Sequence, residues 1–160
     1  MKAVYIESHG DRDVLVYGDR PEPIVRPTEV KIRVRAAALN RLDLYTREGG
    51  RGLSREFPPP LILGGDCSGD VVELGEKVTG VSVGDRVVVN PLIDVNLLGG
   101  TSPSAPAAPQ FMGTAIDGSY AEYVSVPAVN VHVLTDNAVS YTHLRAHETE
   151  ADLVCRLLLE

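Results

Sequence analysis

Four groups of residues in this chain carry side chains or backbone able to do chemistry. The first is Asn40-Arg41-Leu42-Asp43-Leu44-Tyr45. An amide followed three residues later by a carboxylate is a pattern that caps a helix start and places negative charge at its positive end. Tyr45 by itself reads as a boundary aromatic with its hydroxyl in water. The second group is Gly64, Gly65 and Gly69 around Asp66-Cys67. A Walker loop needs Lys and then Ser or Thr after its second glycine, but Asp70 and Val71 follow Gly69. The dinucleotide fingerprint G-x-G-x-x-G is absent as well, so these glycines read as tight turns and close packing. The third is Cys67, an inert thiol in an apolar strand. The fourth is His143 and His147, a helical i, i+4 pair. Leu144 stands where a zinc-protease helix would have its Glu, and the pair reads as an exposed helix face. No activated nucleophile is evident.

These residues need elements to hold them. Val30-Lys31-Ile32-Arg33-Val34-Arg35-Ala36 alternates apolar and basic residues. That is the period of a half-buried strand with Lys31, Arg33 and Arg35 facing solvent. Further strands are expected at Lys2 to Ile6, Asp13 to Tyr17, Cys67 to Leu74, Arg86 to Asn90, Tyr120 to Val126 and Val131 to Leu134. Gly, Pro, Asp or Asn bound each of them. The prolines of Pro21 to Pro27 suit a connector, and Asp117-Gly118 is a tight-turn signal. One short helix starts at the Asn40 cap and stops at Gly49-Gly50; Arg47, near its end, is expected to be solvated. Asn96 to Gln110 is an uncharged loop rich in Pro, Ser, Ala and Gly, expected to be mobile. From about Val139 the turns end and an amphipathic helix is expected, with Ala151, Val154 and Leu158 on one face.

With 160 residues the chain can build one ordinary domain. Hydrophobic residues at 44% against 23% charged give a globular balance. A net charge of −7 argues against nucleic acid or an anionic membrane as partner, since both select basic surfaces. No uncharged apolar run reaches transmembrane length, and the count of two cysteines argues against a disulfide framework. The expectation is a mainly β, cytoplasmic domain with one or two short helices.

Three segments, in this order and spacing, carry a family resemblance: Pro59 to Gly75 (PPLILGGDCSGDVVELG), Val83 to Val89 (VGDRVVV) and Asp117 to Val124 (DGSYAEYV). They resemble the N-terminal catalytic domain of the medium-chain dehydrogenase/reductase superfamily, which implies a GroES-like, partly open β-barrel over residues 1–138. Zinc alcohol dehydrogenases of that superfamily carry Cys where Asn40 stands and His where Gly65 stands. A catalytic zinc needs about three thiolate, imidazole or carboxylate ligands. The four cysteines of their structural-zinc lobe have no counterpart between Asp94 and Gln110. The resemblance therefore implies that neither zinc is bound.

Asn40 to Gly49 (NRLDLYTREG) also looks like the N-x-x-D-x-Y-x-R-x-G pattern of the zinc-independent quinone oxidoreductases. That implies NADPH or NADH as cofactor and a quinone, enone or related small-molecule carbonyl as substrate. It further implies Asn40, Asp43 and Tyr45 as catalytic residues lining the cleft, with Asn40 also touching cofactor, and a homo-oligomer at full length. Hydride transfer to a quinone builds negative charge on oxygen, which a neutral amide or phenol donor can stabilise without metal. The alternatives are an alcohol dehydrogenase or enoyl reductase of the same superfamily, or a non-catalytic GroES-like binding module. The family's Rossmann domain has no counterpart in this sequence. Residues 139–160 depart from the family and look like translated sequencing adapter, so a truncated, inactive fragment is expected.

Overall fold

A computed structural model describes residues 1–49, 60–94, 110–114 and 116–134. Lys2–Ile6 forms β1, Leu15–Asp19 β2 and Glu29–Ala37 β3, followed by the helix α1 at Arg41–Glu48. The remaining strands are β4 (Leu61–Ile62), β5 (Cys67–Leu74), β6 (Arg86–Val89), β7 (Leu92–Ile93), β8 (Gln110–Phe111), β9 (Tyr123–Pro127) and β10 (Val131–Val133). They assemble into sheets of order β2-β1-β4, β10-β6-β5-β3-β9 and β7-β8, and every strand pairing is antiparallel.

The segment 120–122 seams the two larger sheets together. Val4 N–H donates to the Tyr120 carbonyl at 2.7 Å on the β1 side, and Val34 N–H to the Glu122 carbonyl at 2.9 Å on the β3 side. Ala3 bridges Ala121 between them. The result is the mainly β, partly open barrel expected for a GroES-like domain. Apolar side chains from all three sheets and from Met112 just after β8 fill its centre, among them Ile6, Val30, Ile32, Val71, Val87, Ile93, Met112 and Val126, each no more than 2% exposed. Burying such side chains contributes roughly 1.5–3 kcal/mol apiece.

β3 departs from its regular sequence period. Its register with β5 shifts between Lys31 and Ile32 and again between Val34 and Ala36. A bulge of this kind inserts an unpaired residue and bends the strand, so Ala37 rather than Ala36 becomes the next buried position. Arg35 at the bulge swings to Asp70, Nε to Oδ2 at 2.7 Å. Arg33 and Arg35 face solvent, but Lys31 does not. Its side chain is 12% exposed, held between Glu22 at 2.7 Å and Glu73 at 3.6 Å.

Several other expectations need correcting. The stretch from Asp13 begins as a short 3-10 turn, because the Asp11 carboxylate caps Arg12 N–H, and β2 starts only at Leu15. Asp117-Gly118 is no turn. It runs extended against the Ile62 backbone, with Asp117 Oδ1 accepting from Ile62 N–H at 2.9 Å and Gly118 N–H donating to the Ile62 carbonyl at 2.8 Å. A Cβ on Gly118 would lie 2.2 Å from the Gly64 carbonyl oxygen, so contact rather than turning demands the glycine. Arg47 is not solvated: its side chain is 12% exposed, beside Asp11 and Glu48. The expected loop from Asn96, and the tail with His143, His147 and Cys155, lie outside the described residues.

Candidate active site

The start of α1 is built as the sequence predicts. Asn40 sits in extended backbone as the N-cap, and its Oδ1 accepts from Leu42 N–H at 3.1 Å. Asp43 reaches back, its Oδ2 accepting from Asn40 N–H at 2.7 Å, which completes a capping box. Gly49 ends the helix in a left-handed conformation, φ 72°.

Asp43 does more than cap. It is 5% exposed, and the same Oδ2 accepts from the Tyr120 hydroxyl at 2.6 Å while the Gly64 N–H also donates to the carboxylate. Burial pushes the Asp43 carboxyl above its ordinary value, and nearby Asp66 adds to that; the donors from Tyr120, Asn40 and Gly64 pull it back. A single buried carboxylate thus ties three chain segments together: the helix start, the Gly64 region and the segment at Tyr120. Ala38 N–H donates to the Asp66 carbonyl at 3.3 Å, and Ser119 Oγ donates to that same carbonyl at 3.2 Å, a separate knot that includes neither Asp43 nor Asn40.

The structure brings Asn40 and Asp43 together and leaves Tyr45 apart. At 3.6 residues per turn, Tyr45 lies about 200° around α1 from Asp43, half-buried on the other side of the helix. Tyr120 is a member of this site that the sequence placed in a strand and in the segment Asp117 to Val124, without a site role. Its partner is 77 residues away, so no local spacing could announce it. The available signal was the general one that a buried tyrosine hydroxyl needs a partner.

The amide of Asn40 has a defined direction. Its oxygen is committed to Leu42 N–H, and its Nδ2 hydrogens have no partner among the described residues. On either side, Leu39 and Leu44 stay exposed at 45% and 48%. Gly65 is buried, and a Cβ there would meet only ordinary contacts, Met112 O at 3.7 Å and Pro91 Cβ at 3.8 Å. A Cβ at Gly65 would therefore fit in ordinary van der Waals contact without a clash.

The donor set that the described residues offer at this site does not fit a catalytic zinc ion. Among the described residues no three His, Cys, Asp or Glu side chains cluster in a way that could hold a metal. Asn40 offers an amide whose oxygen is already used, and Gly65 offers nothing. The Cys67 thiol is fully buried, which pushes its pKa up to about 12 and keeps it protonated.

Residues 26–136 match the alcohol dehydrogenase GroES-like domain. The chain belongs to that family. Within it, the chain is 32% identical over 138 residues to a sorbitol dehydrogenase of Halalkalibacterium halodurans, covering 84% of this chain and 39% of that protein. An NAD-dependent alcohol dehydrogenase structure superposes with a TM-score of 0.74 at 35% identity, covering 88% of this chain and 41% of the other. The quinone oxidoreductase of Coxiella burnetii superposes with a TM-score of 0.70 at 29% identity, covering 88% and 38%. This GroES-like chain is thus of the medium-chain dehydrogenase/reductase superfamily, quinone oxidoreductases included among its relatives. It spans about two fifths of the length of the relatives it matches. No helix among its described residues is long and apolar enough to cross a membrane.

Membership sharpens one expected result at the helix start. Asn40→Ala should destabilise the fold by about 1 kcal/mol, the usual cost of losing an N-cap, whereas Asn40→Ser should keep most of the stability because Ser caps as well. Urea midpoints of the two variants check this. Equal losses would mean that the cap bond from Asn40 Oδ1 contributes nothing of its own.

Proposed function

We propose that this chain is the substrate-side part of an NAD(P)H-dependent oxidoreductase that reduces a quinone, an enone or a related carbonyl without metal. One observation carries this reading: the Asn40 amide has its oxygen fixed by the helix cap, and its Nδ2 donors have no partner among the described residues. A neutral donor so oriented is suited to an oxygen that gains negative charge as hydride arrives. The exposed Leu39 and Leu44 suit a flat apolar reactant. Asn40 would also meet the nicotinamide, and Tyr45 would line the cleft from the far side of α1. The coenzyme's pyrophosphate is held elsewhere, because a phosphate-binding βαβ unit needs parallel strands and every strand pairing among the described residues is antiparallel. In this reading residues 1–138 form the GroES-like domain and 139–160 lie outside the family fold. The complete protein is then a cytoplasmic homo-oligomer with a small-molecule substrate and no nucleic-acid or membrane partner.

The test is a fusion of residues 1–138 to the coenzyme domain of the Coxiella burnetii relative, assayed for NADPH oxidation with a benzoquinone. Turnover should persist in a zinc chelator. Asn40→Ser should lower kcat about 100-fold, the scale set by losing one oxyanion donor, while leaving the fold intact. Activity that disappears in chelator and returns with zinc would sink the metal-free reading. The likeness to sorbitol dehydrogenase supports a second reading, oxidation of an alcohol. Under it the same fusion would reduce NAD+ with a polyol and ignore quinones.

A further inference from the structure

We propose that Tyr120 is a positioning residue of this site, acting through Asp43 to fix the direction in which Asn40 presents its Nδ2 donors. The inference rests on the role of Asn40 proposed above and gives a role to a residue that the sequence analysis named only within the segment Asp117 to Val124.

The geometry forms one continuous chain of contacts. The Tyr120 hydroxyl donates to Asp43 Oδ2 at 2.6 Å, and Asn40 N–H donates to that oxygen at 2.7 Å. Asn40 is thereby held by its own backbone, while its side-chain oxygen is held by Leu42 N–H. With both ends fixed, Nδ2 is the one side-chain polar atom of Asn40 without a partner among the described residues. Tyr120 is itself immobilised. It is 8% exposed, its N–H donates to the Leu63 carbonyl at 2.9 Å, and its ring packs so closely on Gly64 that a Cβ there would lie 2.5 Å away. Its hydroxyl also lies 3.1 Å from the Ala38 carbonyl, two residues before Asn40. The phenol therefore spans the stretch leading into the cap and the carboxylate that closes it. A buried carboxylate whose Oδ2 serves two donors while Gly64 N–H also donates to it has few alternative arrangements, and that stiffness is what a donor aimed at a developing charge requires.

The full 160-residue chain is tested by heteronuclear NMR without substrate, so the result is independent of whether the fusion turns over. In Tyr120→Phe the Asn40 Nδ2 pair and the backbone N–H signals of Asn40 and Gly64 should shift and broaden. The Val87 and Val131 amides, in the far strands, should stay in place. Ser119→Ala, which removes the neighbouring hydroxyl bond to the Asp66 carbonyl, serves as the control and should leave the Asn40 Nδ2 pair where it is. Unchanged Asn40 signals in Tyr120→Phe, or equal changes in both variants, would overturn the proposal. Should Tyr120→Phe fail to fold, a pH titration of the unaltered chain decides. The charged and titratable groups facing Asp43 are Tyr120 and Asp66. The Asn40 Nδ2, Asn40 N–H and Gly64 N–H signals should then move with one shared midpoint. Separate midpoints, or an Nδ2 pair that does not follow Asp43, would overturn it.

Discussion

Gly69→Ala is expected to remove about 3 kcal/mol or more of folding stability, while Gly80→Ala removes only about 1 kcal/mol. The two glycines are demanded by different physics. A Cβ at Gly69 would lie 2.1 Å from the Arg33 carbonyl oxygen and 2.9 Å from the Arg33 carbonyl carbon, both backbone atoms of the neighbouring strand. Gly69 pairs with Val34 at the point where β3 bulges, so β5 can follow the bend only if it carries no side chain there. Relieving the overlap means moving β3, an inner strand of the five-stranded sheet held between its neighbours β5 and β9. Overpacking in such a place costs 1–3 kcal/mol and occasionally more, a large share of a domain's roughly 5–15 kcal/mol. At Gly80 nothing lies within 4 Å of the added Cβ and only its φ of 80° resists, a left-handed penalty of roughly 1–2 kcal/mol. Urea denaturation of both variants tests the difference. Equal losses would show that conformation, not contact, governs both glycines.

That contrast also explains how far the sequence could be read. The period of Val30 to Val34 and the turn-bounded runs at Lys2–Ile6 and Cys67–Leu74 announced strands because side-chain alternation is local. The capped helix was legible for the same reason: Asn40, Asp43 and Gly49 act within one another's reach. The two-residue strands at Leu61–Ile62, Leu92–Ile93 and Gln110–Phe111 are too short to show any period. The bulge at Arg35 left no mark on the alternation, since it is imposed by β5 across the sheet. At the candidate site, Asn40 and Asp43 could be paired from their spacing, but the fate of Tyr45 depends on which face of α1 is buried. Asp43 and Thr46 turn inward, which carries Tyr45 away. Tyr120 joins the site through a bond that spans the chain, and long-range pairing of this kind has no counterpart in local spacing.

Asp43→Ala should be about as damaging as Gly69→Ala, and its pH dependence shows what kind of group has been lost. The substitution strands the buried N–H of Gly64 and the part-buried N–H of Asn40, while the Tyr120 hydroxyl can turn to the Ala38 carbonyl at 3.1 Å. Two orphaned donors at roughly 1–3 kcal/mol each put the loss near 3 kcal/mol. Asp43→Asn keeps the shape and one acceptor oxygen, so it should lose less. The comparison of the unaltered chain with Asp43→Asn then isolates the charge. Burial raises the folded-state carboxyl above its ordinary value of 3.8, more than the three donors lower it. The folded state therefore binds this proton more tightly than the unfolded state, and the contribution is fully present below the ordinary value. It is lost as pH rises through the raised folded-state value. Asp43→Asn has no such proton to lose, so its deficit against the unaltered chain should shrink as pH climbs through that window and level off above it. Urea midpoints of both proteins across the acidic range measure the trend. A deficit that grows with pH would mean that Tyr120, Asn40 and Gly64 together stabilise the anion more than burial penalises it, and the carboxylate would then be an anchor whose charge strengthens the site rather than one held against its solvation.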